Sequence, residues 1–155
     1  MSGESILNFE GYVVKDFSFR LNPNCNFDDK ISQKLKFNFS FEHVQIGPER
    51  FEVQVKTAIN DPDFSKGNAP FYLDSKVAGY YKIKNFDLDS ETHRALVEKN
   101  TIAILFPFIR SMIAHCTAEF QIPPVSLPVM NIVEIYEKNK KSKIGQKNSK
   151  KKVTR

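Results

Sequence analysis

Apolar and polar residues alternate one by one along several stretches, and this pattern constrains the fold more than any other feature of the sequence. The clearest stretch covers 35–42, and the alternation returns over 51–59 and 71–83. Side chains on a β-strand point to opposite faces with a period of two, so each stretch predicts a strand with one apolar and one polar face. Consecutive strands of this kind with short connections predict an antiparallel sheet that is covered on one face.

A first strand precedes these three, although its alternation is imperfect. Its apolar residues Phe9, Val13, Phe17, Phe19 and Leu21 alternate only imperfectly with polar residues. The following run of Asn, Pro and Cys residues predicts a loop. We therefore expect four strands.

Helices in the second half of the chain are predicted to cover the sheet. Ser90 suits the N-cap of a short helix over about 91–99, with Glu91 in its first turn. A longer helix follows, and Pro107 predicts a kink or a local break in it. Its apolar stripe at helical spacing consists of Ile102, Phe106, Ile109, Ile113 and Thr117.

The C-terminal part divides into a connector, a short helix and a tail. Three prolines between 123 and 128 predict a stiff connector, and 130–136 predicts a short amphipathic helix. The fold class is therefore α+β, a four-stranded antiparallel sheet covered by a long kinked helix and a short C-terminal helix. We predict one domain over 1–136 and a disordered basic tail over 137–155.

Charge is divided unevenly between these two parts. Residues 137–155 hold nine basic residues and one acidic residue, a net +8, whereas residues 1–136 hold 14 basic and 17 acidic residues, a net −3. The overall +5 therefore comes from the tail. Such a tail is either a solubilising end or an electrostatic contact with RNA, the ribosome or an acidic partner. It lacks the aromatic residues that stack on bases, so nucleic acid is a candidate partner only through its charge.

Several classes of protein are disfavoured. The longest uninterrupted apolar run, Ile102–Ile109, has eight residues, whereas a membrane span needs about 20, so we expect no membrane insertion. The N-terminus has neither the basic start nor the apolar stretch of a signal peptide. Two cysteines, Cys25 and Cys116, cannot form a disulfide framework. Free thiols suit a cytoplasmic location.

No catalytic constellation is recognisable. A phosphate-binding glycine loop is missing, and His43, His93 and His115 lie on different predicted elements without the spacing of metal ligands. His115 and Cys116 are adjacent on a predicted helix, where side chains point about 100° apart, so they do not form a nucleophile and base pair. We predict that the protein is not an enzyme and that it uses no metal and no cofactor.

Apolar residues exceed what one sheet face and one helix can bury. The strand over 35–41 and the C-terminal segment over 122–136 contribute most of this surplus. Surplus apolar surface is typical of oligomer contacts, of a groove that binds other proteins, or of both.

The segment 104–110 (Ile-Leu-Phe-Pro-Phe-Ile-Arg) resembles the long-helix signature of SecB, a family of export chaperones. The likeness continues from Ile122 to the run 131–136 (Asn-Ile-Val-Glu-Ile-Tyr). Near the N-terminus, 15–19 (Lys-Asp-Phe-Ser-Phe) is similar to the first strand of the family. In all, the resemblance covers about residues 9–136.

The resemblance implies an ATP-independent holdase that keeps preproteins unfolded for protein export through the Sec pathway and assembles as a homotetramer, a dimer of dimers. It also implies a client-binding groove lined by Leu35, Phe37, Phe39, Phe71, Leu127, Ile132, Ile135 and Tyr136. The subunit contacts that it implies, on the first strand and the long helix, are Phe17, Phe19, Phe106, Ile109 and Ile113.

A contact with the translocation motor SecA is implied at Asp16, Tyr72 and Asp74. The chain departs from the family at Arg20, where a Glu is common, in its basic tail, and at Phe120, where a glycine usually ends the long helix. Two functions stay open within the resemblance: general export with SecA, and service to one dedicated client such as an antitoxin. The alternative from a different class is a nucleic-acid- or ribosome-associated protein that acts through its tail.

Overall fold

Four strands come first along the chain in the computed structural model, which describes residues 6–25, 35–66, 69–128, 131 and 133–138. The strand bounds are β1 Leu7–Leu21, β2 Phe37–Gln45, β3 Arg50–Ile59 and β4 Phe71–Ile83, with a 3-10 turn at Phe64–Lys66.

Helical structure follows the strands. The helical elements are α1 Glu91–Ala95, a π-helical turn Leu96–Asn100, α2 Thr101–Glu119, and a short α3 over 133–138. Residues 137 and 138, which the sequence assigns to the disordered tail, belong to α3, and the rest of the predicted tail lies outside the described residues.

The sheet is antiparallel, with the strand order β1-β4-β3-β2, so β1 and β2 are its edge strands. Register places apolar residues of neighbouring strands side by side, because Val55 pairs with Val77 and Ile59 pairs with Leu73. All four side chains are fully buried. The predicted antiparallel sheet with one covered face is therefore confirmed.

Two bulges in β1 disturb its alternation. Register shifts follow Phe9 and Val14, and Gly11 in the first bulge has a φ of +127°, which residues with a Cβ rarely adopt. An extra residue in one strand turns the side chains that follow it to the other face. Tyr12 and Val14, rather than Val13, therefore share the helix-covered side of the sheet.

The two predicted helices join into one helical run. Ser90 caps α1 as predicted, since its Oγ accepts a hydrogen bond from the N–H of His93 at 3.3 Å. In the π turn, the N–H of Thr101 donates to the carbonyl of Leu96. The irregularity of the run lies at this turn, whereas α2 continues as an α-helix on both sides of Pro107.

The apolar stripe of α2 packs on the covered face of the sheet. Burial of a Leu, Ile or Phe side chain contributes about 1.5–3 kcal/mol, so this contact strongly stabilises the domain. By length and composition alone, Glu91–Glu119 could cross a membrane, but here its stripe forms the core of the domain. All five residues of the stripe are buried, and so is the neighbouring Leu105.

Helix α2 ends without a glycine, at Phe120 and Gln121. The N–H of Phe120 donates to the carbonyl of Cys116 at 3.1 Å, and Gln121 adopts the left-handed conformation with a φ of 61°. The ring of Phe120 packs against Phe19 of β1, with the centroids 4.6 Å apart. An aromatic side chain at this position therefore covers part of β1.

Candidate functional site

Four apolar side chains from residues 35–39 and from α3 are half-buried and pack against the core. They are Leu35, Phe37, Phe39 and Ile135, and we call the surface that they offer the groove beside β2. The ring of Phe39 lies edge-on against Phe106 of α2, with the centroids 5.6 Å apart. Four of the predicted client-binding residues therefore pack against the same core and keep part of their surface exposed.

Three other predicted client-binding residues are buried. Phe71, Leu127 and Tyr136 are 3%, 2% and 8% exposed, and Phe71 stacks on Phe19 with the centroids 5.6 Å apart. A bound polypeptide could contact these side chains only after a rearrangement. Ile132, the last member of the predicted set, lies outside the described residues.

Tyr136 holds α3 against the sheet. Its ring lies 6.3 Å from that of Phe41 and edge-on to His43 at 5.7 Å. Burial is the main cause that raises the pKa of Tyr136 to about 12. An ion pair between Lys99 and Glu137, 3.1 Å apart, joins α3 to the π turn. The position of Ile135 in the groove therefore depends on the docking of α3.

An extended connector, residues 122–128, leads from the end of α2 towards α3. The N–H of Val125 donates to Oγ1 of Thr117 at 2.9 Å, and Nη2 of Arg110 donates to the carbonyl of Pro128 at 3.2 Å. Later residues of the connector thus meet earlier residues of α2, so the connector runs antiparallel to the helix. Its buried side chains are Ile122, Val125 and Leu127.

Arg110 and Thr117 hold this connector, and sequence reasoning assigned neither of them that role. Arg110 was part of a family-like signature, and Thr117 was one position of the apolar stripe. A hydroxyl in an otherwise apolar stripe was the available signal, because a buried polar group needs a partner. The identity of that partner depends on where the connector folds back, which the pattern of residues does not reveal.

The outer face of the sheet holds the residues predicted to contact SecA. The hydroxyl of Tyr72 donates to a carboxylate oxygen of Asp74 at 3.2 Å, and burial, followed by the charge of Asp74, raises the pKa of Tyr72. Asp16 and Asp74 border a shallow depression of about 430 Å³ that Lys56 and Lys76 also line. Asp16 pairs in register with Lys76, so the charge of this face is mixed.

Arg20 anchors the loop that follows β3. Its Nη2 donates to the carbonyl of Pro62 at 2.7 Å. Its guanidinium carbon lies 5.7 Å from the centre of the Phe64 ring and 5.8 Å from that of Tyr72. These contacts give Arg20 a structural role next to the residues predicted to contact SecA.

The predicted subunit contacts fall into two groups. Phe17 and Phe19 on β1 are half-buried. Phe106, Ile109 and Ile113 are at most 4% exposed and pack on the sheet of their own chain. These three could reach another subunit only if the domain rearranged.

An exposed apolar patch lies at the edge strand β1. Tyr12, Val14 and Phe108 are 39%, 46% and 39% exposed, and the ring of Phe108 lies 5.1 Å from that of Tyr12 and 5.4 Å from that of Phe9. The sequence did not reveal this patch because the bulge after Phe9 places Tyr12 on the side where simple alternation would place Val13.

No arrangement typical of a metal centre is found in the described part of the chain. There, no three His, Cys, Asp or Glu side chains lie close enough together to hold a metal ion. Cys25 and Cys116 are half-buried thiols.

Comparisons with known proteins give related sequences. A family model described as preprotein translocase subunit SecB matches residues 3–143. An uncharacterised protein of Methanocaldococcus jannaschii is 35% identical over 127 residues, which cover 81% of this chain and 79% of that protein. The protein-export protein SecB of Actinobacillus succinogenes is 27% identical over 135 residues, which cover 86% of this chain and 80% of that protein.

A solved structure has a related fold. It is the SecB-like chaperone of Mycobacterium tuberculosis in complex with a ChAD peptide from an antitoxin. The match has a TM-score of 0.58 and a sequence identity of 16%, and it covers 81% of this chain and 91% of that chain. At this identity the comparison establishes a shared fold.

Proposed function

The chain belongs to the SecB family, and on that premise we propose that it is an ATP-independent chaperone, a holdase, which binds unfolded polypeptide in the groove beside β2. The observation that carries this proposal is the partial exposure of Phe37 and Phe39 at the edge of the core. Exposed apolar surface that is contiguous is typical of a binding site for protein.

Burial of apolar surface is sufficient to drive this function. A non-native chain exposes apolar segments, and each Å² that a groove removes from water contributes about 25 cal/mol. Contacts with one groove are weak, but several grooves on one client raise the affinity through a high effective concentration. Folding of the client withdraws its apolar segments and releases it. The proposal requires no catalytic residue and no cofactor.

The predicted groove residues divide into two roles under this proposal. The half-buried Leu35, Phe37, Phe39 and Ile135 contact the client directly. The buried Phe71 and Tyr136 support the groove from the core, and the buried Leu127 lies in the connector. Ile132 remains a proposed contact on the basis of the family resemblance alone.

Subunit association through β1 is the second part of the proposal. An edge strand offers main-chain donors and acceptors to another strand, and the apolar patch of Tyr12, Val14 and Phe108 lies beside β1. A second copy that pairs with this edge covers the patch. We propose a dimer of dimers in which Phe17 and Phe19 extend the contact.

Two kinds of client fit the proposal. General export from the cytoplasm requires a contact with SecA, for which Asp16, Tyr72 and Asp74 are the proposed residues. A single dedicated client, such as an antitoxin, is the second candidate. The antitoxin peptide bound to the M. tuberculosis protein supports it, as does the mixed charge that Lys56 and Lys76 give to the outer face. A pull-down that compares SecA with antitoxin-like clients separates the two.

Aggregation of a chemically unfolded client, followed by light scattering, tests the holdase proposal. The expected result is that the chain delays aggregation without ATP, and that a chain truncated after Glu137 does so equally well. If no ratio of subunits to client delays aggregation, the chain is not a holdase. If truncation abolishes the effect, the function depends on the tail, whose net charge of +8 is the argument for a nucleic-acid or ribosomal partner.

A further inference from the structure

Arg110 holds a buried hydrogen-bond donor that nothing in the described part of the chain uses. Its Nη2 donates to the carbonyl of Pro128 at 3.2 Å, and its guanidinium carbon lies 5.5 Å from the centre of the Phe106 ring. Its Nε is buried and has no acceptor among the described residues. Buried donors normally have partners, so an unused donor on a charged group calls for an explanation.

The part of the connector next to Arg110 has the residue pattern of an extended apolar peptide. The buried Val125 and Leu127 alternate with the exposed Ser126 and Pro128. This period of two is that of an extended chain that lies on an apolar surface. An unfolded client offers the same two features, alternating apolar side chains and main-chain carbonyls.

Two residues of α2 hold the two ends of the connector segment 125–128. Thr117 and Arg110 are seven residues apart, about 10.5 Å along a helix, and the three residue steps from Val125 to Pro128 span about 10 Å in an extended chain. The segment is therefore stretched along α2. The hydroxyl of Thr117 donates to the carbonyl of Ile113 at 2.8 Å while it accepts from Val125. Thr117 is thus satisfied, and Arg110 is the anchor with an unused donor.

Phe106 links this anchor to the groove. Arg110 lies over its ring, and Phe39 packs edge-on against the same ring at 5.6 Å. A polypeptide segment in contact with Phe39 is therefore separated from Arg110 by one aromatic side chain.

We infer that Arg110 binds the main chain of a client in the groove by donating hydrogen bonds to its carbonyls. The end of the connector occupies this site until a client displaces it. The inference rests on the proposed holdase function. When residues 127–128 move aside, client carbonyls accept hydrogen bonds from Nη2 and from the otherwise unused Nε, which the planar guanidinium presents together. Because every polypeptide has the same main chain, this contact binds clients of different sequence.

Peptide binding with main-chain substitutions tests the inference. The probe is a fluorescein-labelled synthetic peptide with one short apolar run flanked by Ser and Asn, together with analogues in which one amide at a time is replaced by an ester, whose carbonyl is a weaker acceptor. With the unaltered chain, we expect one position in the apolar run to lose about tenfold in affinity on ester substitution. Arg110→Lys keeps the charge but lacks the paired N–H donors of a guanidinium. For this variant we expect the peptide to bind about tenfold more weakly, with an affinity that no longer depends on the ester at that position.

Arg20→Lys is the matched control, because Arg20 also donates to a proline carbonyl and lies over aromatic rings, but on the outer face of the sheet. It should leave peptide affinity unchanged. If Arg110→Lys binds like the unaltered chain, with the same sensitivity to the ester, the inference is wrong while the holdase proposal stands. If the unaltered chain neither binds the peptide nor delays aggregation, both are wrong. If Arg110→Lys does not fold, the ester series on the unaltered chain decides, since losses spread evenly over all positions contradict the inference.

Leu127→Ala gives a second test through the sign of its effect. It removes buried apolar surface that holds the connector in place, so the peptide should displace the connector from Arg110 more easily. We therefore expect the peptide to bind about threefold to tenfold tighter. Leu73→Ala, which truncates an equally buried leucine in β4, controls for a general loss of stability and should not tighten binding. Weaker binding by Leu127→Ala would contradict the displacement of the connector.

Discussion

The hydroxyl of Tyr81 donates a hydrogen bond to the main-chain carbonyl of Thr101 at 2.7 Å and so ties β4 to the start of α2. Both residues are fully buried. Gly79 leaves room for the ring, since a Cβ there would lie 2.8 Å from a ring carbon of Tyr81. Thr101 directly follows the π turn, and its own hydroxyl donates to the carbonyl of Val97 within that turn. The bond from Tyr81 therefore fixes the point at which the helical run meets the sheet.

Removal of this hydroxyl should weaken the domain without changing its shape. We expect Tyr81→Phe to lower the free energy of unfolding by about 1 kcal/mol, because it deletes one buried hydrogen bond and keeps the ring. Urea denaturation with an unchanged m-value is the measurement. Tyr12→Phe, which alters a tyrosine that is 39% exposed, should change the free energy by no more than about 0.5 kcal/mol. Equal losses for the two variants would contradict the role given to Tyr81.

Two buried hydroxyls in the sheet are predicted to be dispensable. Thr57 and Ser75 pair in register, are 1% and 2% exposed, and have no hydrogen-bond partner among the described residues. Thr57→Val should therefore leave stability unchanged or raise it by up to about 1 kcal/mol, because it removes an unsatisfied polar group and keeps the shape. Thr117→Val should instead lower stability by about 1–3 kcal/mol, because it leaves the N–H of Val125 unpaired. Thermal or urea unfolding of both variants checks the contrast, which fails if Thr57→Val is the more damaging.

The sequence predicted the parts of the fold that depend on local periodicity. Alternation with a period of two marks most of β2, β3 and β4, and Ser90 caps α1 as its residue type suggests. The bulges of β1 escaped prediction because one extra residue in a strand is a local event, and it reversed the faces of Tyr12 and Val13. The π turn also escaped, because it is set by the fit of the helix on the sheet.

Prediction of the site had the same limit. Alternation and resemblance to the SecB family together identify Phe37 and Phe39 as candidate groove residues, and both are half-buried. The contacts that Arg110 and Thr117 make with the connector are set by where residues 122–128 fold back onto α2. Such contacts between distant segments leave no periodic signal in the chain.

A charge in the groove should weaken client binding. We expect Ile135→Asp to reduce the affinity for an unfolded client at least tenfold, because burial of a carboxylate without a partner is costly. Val133→Asp is the matched control, since Val133 belongs to the same helix α3 but is 44% exposed, and it should have little effect. Fluorescence anisotropy of a labelled client, with size-exclusion chromatography to confirm an unchanged oligomer, is the measurement. Similar effects of both substitutions would argue against a client site at Ile135.

A charge in the β1 patch should instead weaken subunit association. Phe108→Asp places a carboxylate beside Tyr12 and Phe9 in the surface that a second subunit is proposed to cover, so we expect a smaller oligomer in light scattering coupled to size-exclusion chromatography. Leu88→Asp changes a residue that is 67% exposed in the loop before α1 and should leave the oligomer intact. If Phe108→Asp has the same mass as the unaltered chain, the proposed contact is wrong.

Site-specific photo-crosslinking tests most directly whether β2 forms the client site. A benzoylphenylalanine residue in place of Phe37 lies on the helix-covered side of β2, and the same residue in place of Val44 lies on its outer face, where the native side chain is 37% exposed. With an unfolded client present during illumination, we predict an adduct from position 37, little or none from position 44, and loss of the adduct when the client is folded. Equal adducts from both positions, or none from position 37 while the chain still suppresses aggregation, would contradict a client groove beside β2.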